Sequence, residues 1–316
     1  MQHAGVEPAV AAVAPAATPT PTEWRPNEST DFRYGEAARR PPTRAHQMVS
    51  LGSITTFWSA VGLWTYFAWY GNQTKAPFAF SHEGWFGGDT YAGGADKLGH
   101  MFGSYVAVRA TAQELQRGGV SSGASAALAS IGALAFFVGI EVKDGYHRSF
   151  GFSGGDMVAD LVGIGLANLF LLNPRVDELL DLRMQYWPSR EYRSRLLRGD
   201  IDTLEDYTGM EFGLWLHLGS LALVKQRPHF EVLRYVDLGI GYATDNFKPT
   251  PTDPDAIRVR RPYLGVGLNV AAFVDALVFE RGQRQGLPRD TALRLLEFYS
   301  VPSTYVRLGP RFESER

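Results

Sequence analysis

The feature that most constrains this chain is a stretch of long apolar segments with ionisable side chains at their ends. Residues 121–140 contain no charged residue, and Glu141 follows immediately. Asp160 lies inside another apolar run, 157–162. Burying a charge in such a place is costly unless the charge is paired, hydrated or, for a carboxylate, protonated. The pattern therefore predicts a polar cluster inside a mostly apolar group of helices.

Four segments have the length and apolar pattern of long helices. Leu51–Tyr70 has twenty residues and no charge, and as a helix it extends about 30 Å, enough to cross the hydrocarbon core of a bilayer. We expect membrane contact here, with a buried core helix as the alternative. Small residues such as Gly132 and Gly139 allow close approach of helices. The predicted helices cover residues 51–70, 96–116, 122–142 and 154–172.

The C-terminal part has a different pattern, in which apolar residues occupy every second position. Such alternation predicts strands with one apolar face. The sequence therefore predicts a mainly α chain, with an apolar four-helix bundle followed by a small antiparallel β-sheet region, α+β overall. Strands are expected over 210–219, 236–242 and 264–270, a loop over 248–256, and a short helix over 290–299.

Changes in composition divide the chain into four regions. Residues 1–45 are rich in Ala, Pro and Thr, which bury too little surface to offset the entropy of ordering, so we expect a disordered tail. Residues 1–22 also lack the positive start and Leu-rich core of a secretory signal. The other regions are an apolar helical bundle over 46–174, an Arg-rich linker or surface helix over 175–209 and a strand-rich region over 210–316.

Composition argues against several classes of function. The formal net charge is −2 and Lys and Arg form no basic block, so nucleic acid is not expected as a partner. The chain contains no cysteine, which excludes disulfides, thiolate zinc sites and a cysteine nucleophile. A mean hydropathy of −0.14 is too polar for a chain embedded in a membrane throughout its length. The motifs of serine hydrolases, P-loop proteins and dinucleotide-binding proteins are missing from the sequence.

The candidate chemical centre begins with two residues four positions apart. Asp96 and His100 share one face of the predicted second helix, where such a pair can hold a metal ion or orient the histidine as a base. Lys97 lies beside them and is expected to pair with an acid on another helix. The candidate catalytic residues are Asp96, Lys97, His100, Glu141, Asp156 and Asp160.

A divalent metal ion is the cofactor that these residue types suit. Asp144 and His147 follow the predicted third helix and could complete a metal shell. Carboxylate oxygens and imidazole nitrogens suit zinc, manganese or similar ions, although no compact motif such as His-Glu-x-x-His is present. The candidate metal ligands are Asp96, His100, Glu141 and Asp144.

The same residues also have a purely structural interpretation. Asp96 occupies a position where an N-cap is expected, and Ser153 with Asp156 has the spacing of a capping box. Glu141 and Asp160 would then be members of a buried ion-pair network. Their candidate partners by residue type are Lys97, His100 and Arg109.

These residues carry a resemblance to a known family. The chain resembles the YfiM-like predicted periplasmic lipoproteins over about residues 57–172 and is more loosely similar to VanZ-like membrane proteins. This chain has no cysteine, the residue that carries the lipid in bacterial lipoproteins. The matching positions are Asp96-Lys97-x-x-His100, Glu141, Gly-Phe-Ser-x-x-Asp over 151–156, Asp160 and Gly163.

The resemblance implies a bacterial cell-envelope protein of unassigned activity, membrane-associated and on the periplasmic or outer-membrane side, with the inner membrane as the alternative. Two functions fit. In the first, the charged cluster fixes helix packing, and the protein binds membrane lipid or envelope protein partners. In the second, the protein is a membrane-associated, metal-assisted hydrolase acting on a lipid or cell-wall intermediate, in which Asp160 supports the metal ligands.

Overall fold

The structure is a computed structural model, and it describes a chain of helices followed by an antiparallel sheet. The predicted tail, 1–45, lies almost wholly outside the described residues, and so does most of the loop expected over 248–256. The described residues are 43–71, 76–148, 150–199, 202–247, 256–281, 284 and 287–314.

Four long helices come first, close to the predicted positions. The helix predicted from residue 154 begins after Ser153, whose Oγ accepts a hydrogen bond from the Asp156 N–H at 3.2 Å, as expected of an N-cap. It ends before Asn173 because the residue preceding Pro174 disfavours helical geometry. The helices are α1 Arg44–Thr65, continued by a π-helical turn Tyr66–Tyr70, α2 Ala95–Arg117, α3 Ser122–Gly145 and α4 Gly154–Leu172.

Helix α2 is central, and α3 and α4 pack on it and on each other. At Gly163 of α4 the backbone of α2 comes so close that a Cβ would overlap the Met101 carbonyl. Helix α1 lies along the outside, where Trp58 donates from Nε1 to Thr111 Oγ1 at 3.1 Å, and much of its apolar surface is exposed. The predicted four-helix bundle is therefore not confirmed, because three helices pack mutually and the fourth is peripheral.

The second half contains a six-stranded sheet among the described residues, and all of its strand pairs are antiparallel. The strands pair in the order β1-β2-β3-β4-β5, and β6 pairs with the start of β4. The α+β class predicted from the sequence is confirmed. The strands are β1 Leu180–Tyr186, β2 Met210–His217, β3 Val236–Asp245, β4 Arg258–Leu268, β5 Tyr305–Leu308 and β6 Phe312–Ser314. Shorter helices connect them: α5 Pro174–Leu179, α6 Arg190–Leu196, α7 Ala222–Gln226, α8 Val270–Leu277 and α9 Leu287–Phe298.

Strand β1 differs from the sequence interpretation of 175–209 as an Arg-rich surface helix and linker. Leu180 and Leu182 alternate with Asp181 and Arg183, which is a strand pattern too short to stand out among the surrounding charges. Both charged side chains are buried, because Arg183 pairs with Asp181 and with Asp237 of β3, each at 2.8 Å. Paired in this way, charged residues can occupy a sheet interior.

The two faces of the sheet have opposite chemistry. On one face, apolar side chains stand in register across five strands, as with Leu214 of β2 between Leu182 and Ile240. Helices α2 and α4 cover the β1–β2 end of this face, through contacts such as that of Phe102 with Phe212. On the other face, the Trp215 ring covers two glycine positions of β3 and β4, and Asp237 forms buried ion pairs with Arg183 and His217.

Two described helices, α3 and α4, are long and apolar enough to cross a membrane by length and composition. A core helix of a soluble protein meets the same criterion. Leu51–Tyr70, for which the sequence predicts membrane contact, is not one of these two. Its apolar side chains are nevertheless among the most exposed of the described residues, with Leu51 and Phe67 each about two-thirds exposed.

Candidate functional site

The start of α2 places two of the predicted residues, Asp96 and His100, beside a pocket. The chain enters the helix through Gly93 and Gly94, both with positive φ, a conformation that favours glycine. A Cβ at either position would also collide with a neighbouring aromatic residue. The N-cap is Gly94, so Asp96 lies in the first turn and not at the cap position suggested by the sequence. Its carboxylate is still well placed electrostatically, near the positive end of the helix dipole.

His100 joins α2 to the two neighbouring helices. Its Nδ1 lies 3.2 Å from Asp160 Oδ1 on α4, and its Nε2 lies 3.7 Å from Glu141 Oε1 on α3. Burial opposes protonation, but the hydrogen bond that His100 donates to Asp160 and the charge of Asp96 raise the pKa of His100 well above its ordinary value. Ionisable side chains from three apolar helices therefore meet at one point, as the sequence predicts.

Lys97 is almost completely buried and is paired on two sides. Its Nζ lies 3.3 Å from Asp156 Oδ1 on α4, which is the interhelical pairing expected from the sequence. It also lies 2.9 Å from Glu83 Oε1 on the loop that precedes α2. Burial disfavours the charged amine, yet Asp156 and Glu83 hold the pKa of Lys97 above its ordinary value.

Each of the other acids is held by a hydrogen-bond donor. Asp96 accepts from the Tyr207 hydroxyl, and Asp144 accepts from the Tyr70 hydroxyl at 2.9 Å. Glu141 Oε2 accepts from the backbone N–H of Ser153 at 2.8 Å. In the capping box expected from the sequence, the Ser153 N–H bonds to the Asp156 carboxylate. In the structure it bonds to Glu141 of another helix instead.

Burial makes these carboxylates weaker acids than they are in water. It raises the pKa of Asp96 to about 7, with a further increase from the charge of Asp156. It also raises the pKa of Glu141 to about 8 and that of Asp144 to about 6. The pKa of Asp160 is raised by burial too, although the hydrogen bond with His100 opposes the shift. The cluster thus contains more carboxyl groups than its two bases, Lys97 and His100, can pair with, and burial favours protonation of the excess.

A cavity of about 320 Å³ opens onto this cluster, and seven of its described lining residues are acidic. Ligand atoms of Asp96, His100 and Asp156 all lie within 4.8 Å of one another. Two carboxylate oxygens and one imidazole nitrogen at this separation form a donor set that a divalent cation can bridge. The acidic residues that line the cavity, here called the acidic pocket, are Glu83, Asp89, Asp96, Glu141, Asp144, Asp156 and Glu205.

The predicted metal ligands are only partly those that the structure groups together. Asp96 and His100 belong to the group of three, while Glu141 contacts His100 and Asp144 is bonded to Tyr70. The third member is Asp156, which the sequence assigns to catalysis. His147 is stacked on Phe150 and does not line the acidic pocket among the described residues.

Arg109 does not serve as a partner for Asp160 or Glu141. It pairs with Asp177 at 2.6 Å and with Glu297, away from the acidic pocket. The structure also adds residues that the sequence interpretation does not include. Glu83 comes from the aromatic, Gly-rich segment 71–95, whose length is itself a sign of function, and no sequence signal marks Tyr207.

The segment around this site matches a known family. A family model described as "Predicted periplasmic lipoprotein (DUF2279)" matches residues 82–172, which contain every predicted site residue. The match does not extend to a YfiM-specific or VanZ-like relation. No curated protein and no solved structure matches the chain. The description agrees with the location expected from the sequence, and the assignment to the bacterial cell envelope, on the periplasmic or outer-membrane side, is confirmed at that level.

Proposed function

We propose that the acidic pocket binds a divalent metal ion and that the protein is a metal-assisted hydrolase of the cell envelope. One observation carries this proposal: the ligand atoms of Asp96, His100 and Asp156 lie within 4.8 Å of one another on the wall of a cavity. Carboxylates packed so closely repel one another. A cation that they share removes this repulsion.

The surroundings of His100 support the same assignment. Metal-bound histidines usually donate their other ring nitrogen to a carboxylate, which fixes the ring and its tautomer. Asp160, which is fully buried, occupies that position on Nδ1. The Nε2 atom then remains for a ligand in the acidic pocket.

The chain's own groups supply further parts of a hydrolytic site. A bound metal ion would supply a water molecule of lowered pKa and polarise a substrate oxygen. Glu141 is held by the Ser153 N–H and lies beside His100 Nε2, where a carboxylate can accept a proton from such a water. The buried cation of Lys97 can stabilise negative charge that develops nearby.

The envelope location limits the substrates that such a site would meet. The family description supports a periplasmic setting, where lipids and cell-wall intermediates carry ester and phosphate bonds. We therefore propose a lipid or cell-wall intermediate as the substrate class.

A structural role for the cluster is the second candidate. The pairing of Lys97 with Glu83 and Asp156 links α2 to a loop and to α4. In this interpretation the ion pairs fix the packing, and function lies in lipid or partner binding. In that case the acidic pocket binds no metal ion at a defined ratio to the protein.

Calorimetric titration of the chelator-treated full chain with Zn²⁺ and with Mn²⁺ tests the proposal. We expect one ion per chain for wild type and no measurable binding for His100→Ala. Asp160→Asn should lower the affinity 10–100-fold, since it removes only the carboxylate that orients the histidine. His229→Ala is the matched control, because this histidine is exposed and lies outside the acidic pocket.

Metal binding without turnover would remove the hydrolase but leave the metal centre. The metal-loaded protein is therefore assayed against chromogenic phosphate esters and acyl esters, with His100→Ala as the inactive control. Absence of stoichiometric binding by wild type, or equal binding by His100→Ala, overturns the metal centre and favours the structural role.

A further inference from the structure

A second recess lies on another side of α2 and has the opposite chemistry. It is a groove of about 940 Å³ between the helices and the part of the sheet that they leave uncovered. Leu98 and Met101 of α2 and Leu166 of α4 form one wall. The other wall consists of strand residues, among them Ile240, Leu264 and Leu308. We call this recess the apolar groove.

The groove exposes large apolar side chains that stand next to one another. Ile240, Leu264 and Leu308 are each about 60% exposed, and Leu264 lies directly opposite both of the others in the strand register. Contiguous apolar surface of this kind is unusual on a monomeric protein and indicates a binding site. The volume lies within the range of pockets for small molecules.

One end of the groove carries positive charge. Along β4, Pro262 and Leu264 share a face with Arg260, because alternate strand residues point to the same side. Arg260 lines the groove, donates to the Phe86 carbonyl and lies with its guanidinium 5.9 Å from the centre of the Phe312 ring. Among the described residues, no carboxylate forms an ion pair with Arg260, and its Nε makes no hydrogen bond.

We propose that the apolar groove binds a single lipid molecule that has an acyl chain and an anionic head group. The chain lies along the uncovered strands β3 to β5, and the head group is bound by Arg260. Charge complementarity selects this occupant, since a long apolar recess that ends at an arginine matches an apolar chain that ends in an anion.

The dimensions agree with this occupant. Along β4 the lining of the groove runs from Arg260 to Leu264, about 14 Å at the rise of a strand, compared with about 15 Å for the hydrocarbon of one bilayer leaflet. The recess has walls on two sides, which suits one inserted chain better than a flat membrane surface. The apolar groove and the acidic pocket have no lining residue in common, and the acidic pocket would repel an anionic head group. Occupancy of the groove therefore does not depend on the proposed metal centre.

Binding of a fluorescent long-chain fatty acid to the purified full chain, with the matching fatty alcohol as the neutral probe, tests the proposal. We expect wild type to bind one fatty acid per chain and Arg260→Gln to bind it about tenfold more weakly, with alcohol binding unchanged. Leu264→Asp should weaken both probes, because it places a charge in the apolar wall.

Two control variants separate the groove from general effects. Arg198→Gln removes a positive charge, as Arg260→Gln does, but from an exposed arginine outside the groove. Leu197→Asp introduces a charge, as Leu264→Asp does, at an exposed leucine that is also outside the groove. Both should bind each probe as wild type does. Circular dichroism and the melting temperature establish that the groove variants are folded.

Three outcomes overturn the proposal. One is that wild type binds neither probe. Another is that Arg260→Gln retains full affinity for the fatty acid. The third is that the protein floats with anionic phospholipid vesicles while no probe binds with one-to-one stoichiometry, which would assign this face to a membrane surface.

Discussion

At the scale of single residues, the described part of the chain contains two histidine clusters with different charge balance. Around His217, one arginine and one histidine face two aspartates, and the adjoining cavity has a volume of only about 10 Å³. Around His100, acids outnumber bases and the cavity is about 320 Å³. A balanced, closed cluster is sufficient to stabilise a fold, whereas the excess carboxyl groups of an acidic cluster open to a cavity can be stabilised by protons or by a bound cation. This contrast favours function at His100.

The His217 cluster predicts a pH dependence of stability. Burial opposes protonation of His217, but the charges of Asp237 and Asp181 outweigh it and raise the pKa of His217 to about 9. The like charge of Arg183 and the amide of Asn269 also lie next to the histidine. Because the pKa of His217 is raised in the folded state, its protonation stabilises the fold. This stabilisation is present in full below about pH 6.5 and is lost as the pH rises through about 9. We expect about 3 kcal/mol to be lost in that interval.

Urea unfolding at several pH values between 6 and 10 measures this loss. His217→Gln should have a flatter profile, because it has no proton to lose, and should be less stable than wild type at pH 6. His229→Ala, which changes an exposed histidine, should keep the wild-type profile. A steep fall in His217→Gln equal to that of wild type would contradict the assignment.

At the scale of elements, the close contact of α2 with α4 positions the site. Gly163 lies against the Met101 carbonyl and the Ser104 hydroxyl, and the same hydroxyl donates to the Asp160 carbonyl at 3.0 Å. Gly163→Ala would force the helices apart, and we expect a loss of about 1–3 kcal/mol. Because His100 and Asp160 lie across this contact, the affinity of the proposed metal centre should fall as well.

Gly165 is the matched control on the same helix. A Cβ at Gly165 meets nothing within 4 Å, so Gly165→Ala should stabilise α4 by about 0.5–1 kcal/mol through the helix propensity of alanine. Thermal unfolding measures both variants. Equal effects of the two substitutions would show that α2 and α4 do not meet closely at Gly163.

The long helices and the convergence of the charged residues could be predicted because both follow from local patterns. An uncharged run that ends in Glu141 indicates a helix and a buried acid without knowledge of the fold. Strand β1 cannot be recognised from the sequence because its alternation is short and its charges can be buried only through the pairing of Arg183 with Asp237, which is distant in sequence. For the same reason, the pairing of Glu83 with Lys97 could not be deduced, since a loop has no period that fixes its position.

At the scale of the whole molecule, Arg109 joins the helices to the second half of the chain. Its guanidinium is fully buried in α2 and pairs with Asp177 of α5 and Glu297 of α9. Helix α9 in turn packs on β1, so one cation connects the helical group to the sheet. We therefore expect the two halves to unfold in a single transition.

Arg109→Met tests this connection, because it keeps a long apolar side chain but removes the cation from two buried carboxylates. Breaking a buried ion pair in this way should cost about 3–5 kcal/mol. Arg117→Met is the control, since its partly exposed pair with Glu114 on the same helix should contribute less than about 1 kcal/mol. Urea unfolding is followed by far-ultraviolet circular dichroism and by tryptophan fluorescence, whose signal includes Trp58 in the helices and Trp215 in the sheet. We expect coincident transitions for wild type, and a much larger shift of the transition for Arg109→Met than for Arg117→Met. Two separate transitions in wild type would mean that the halves are stable independently and that Arg109 does not couple them.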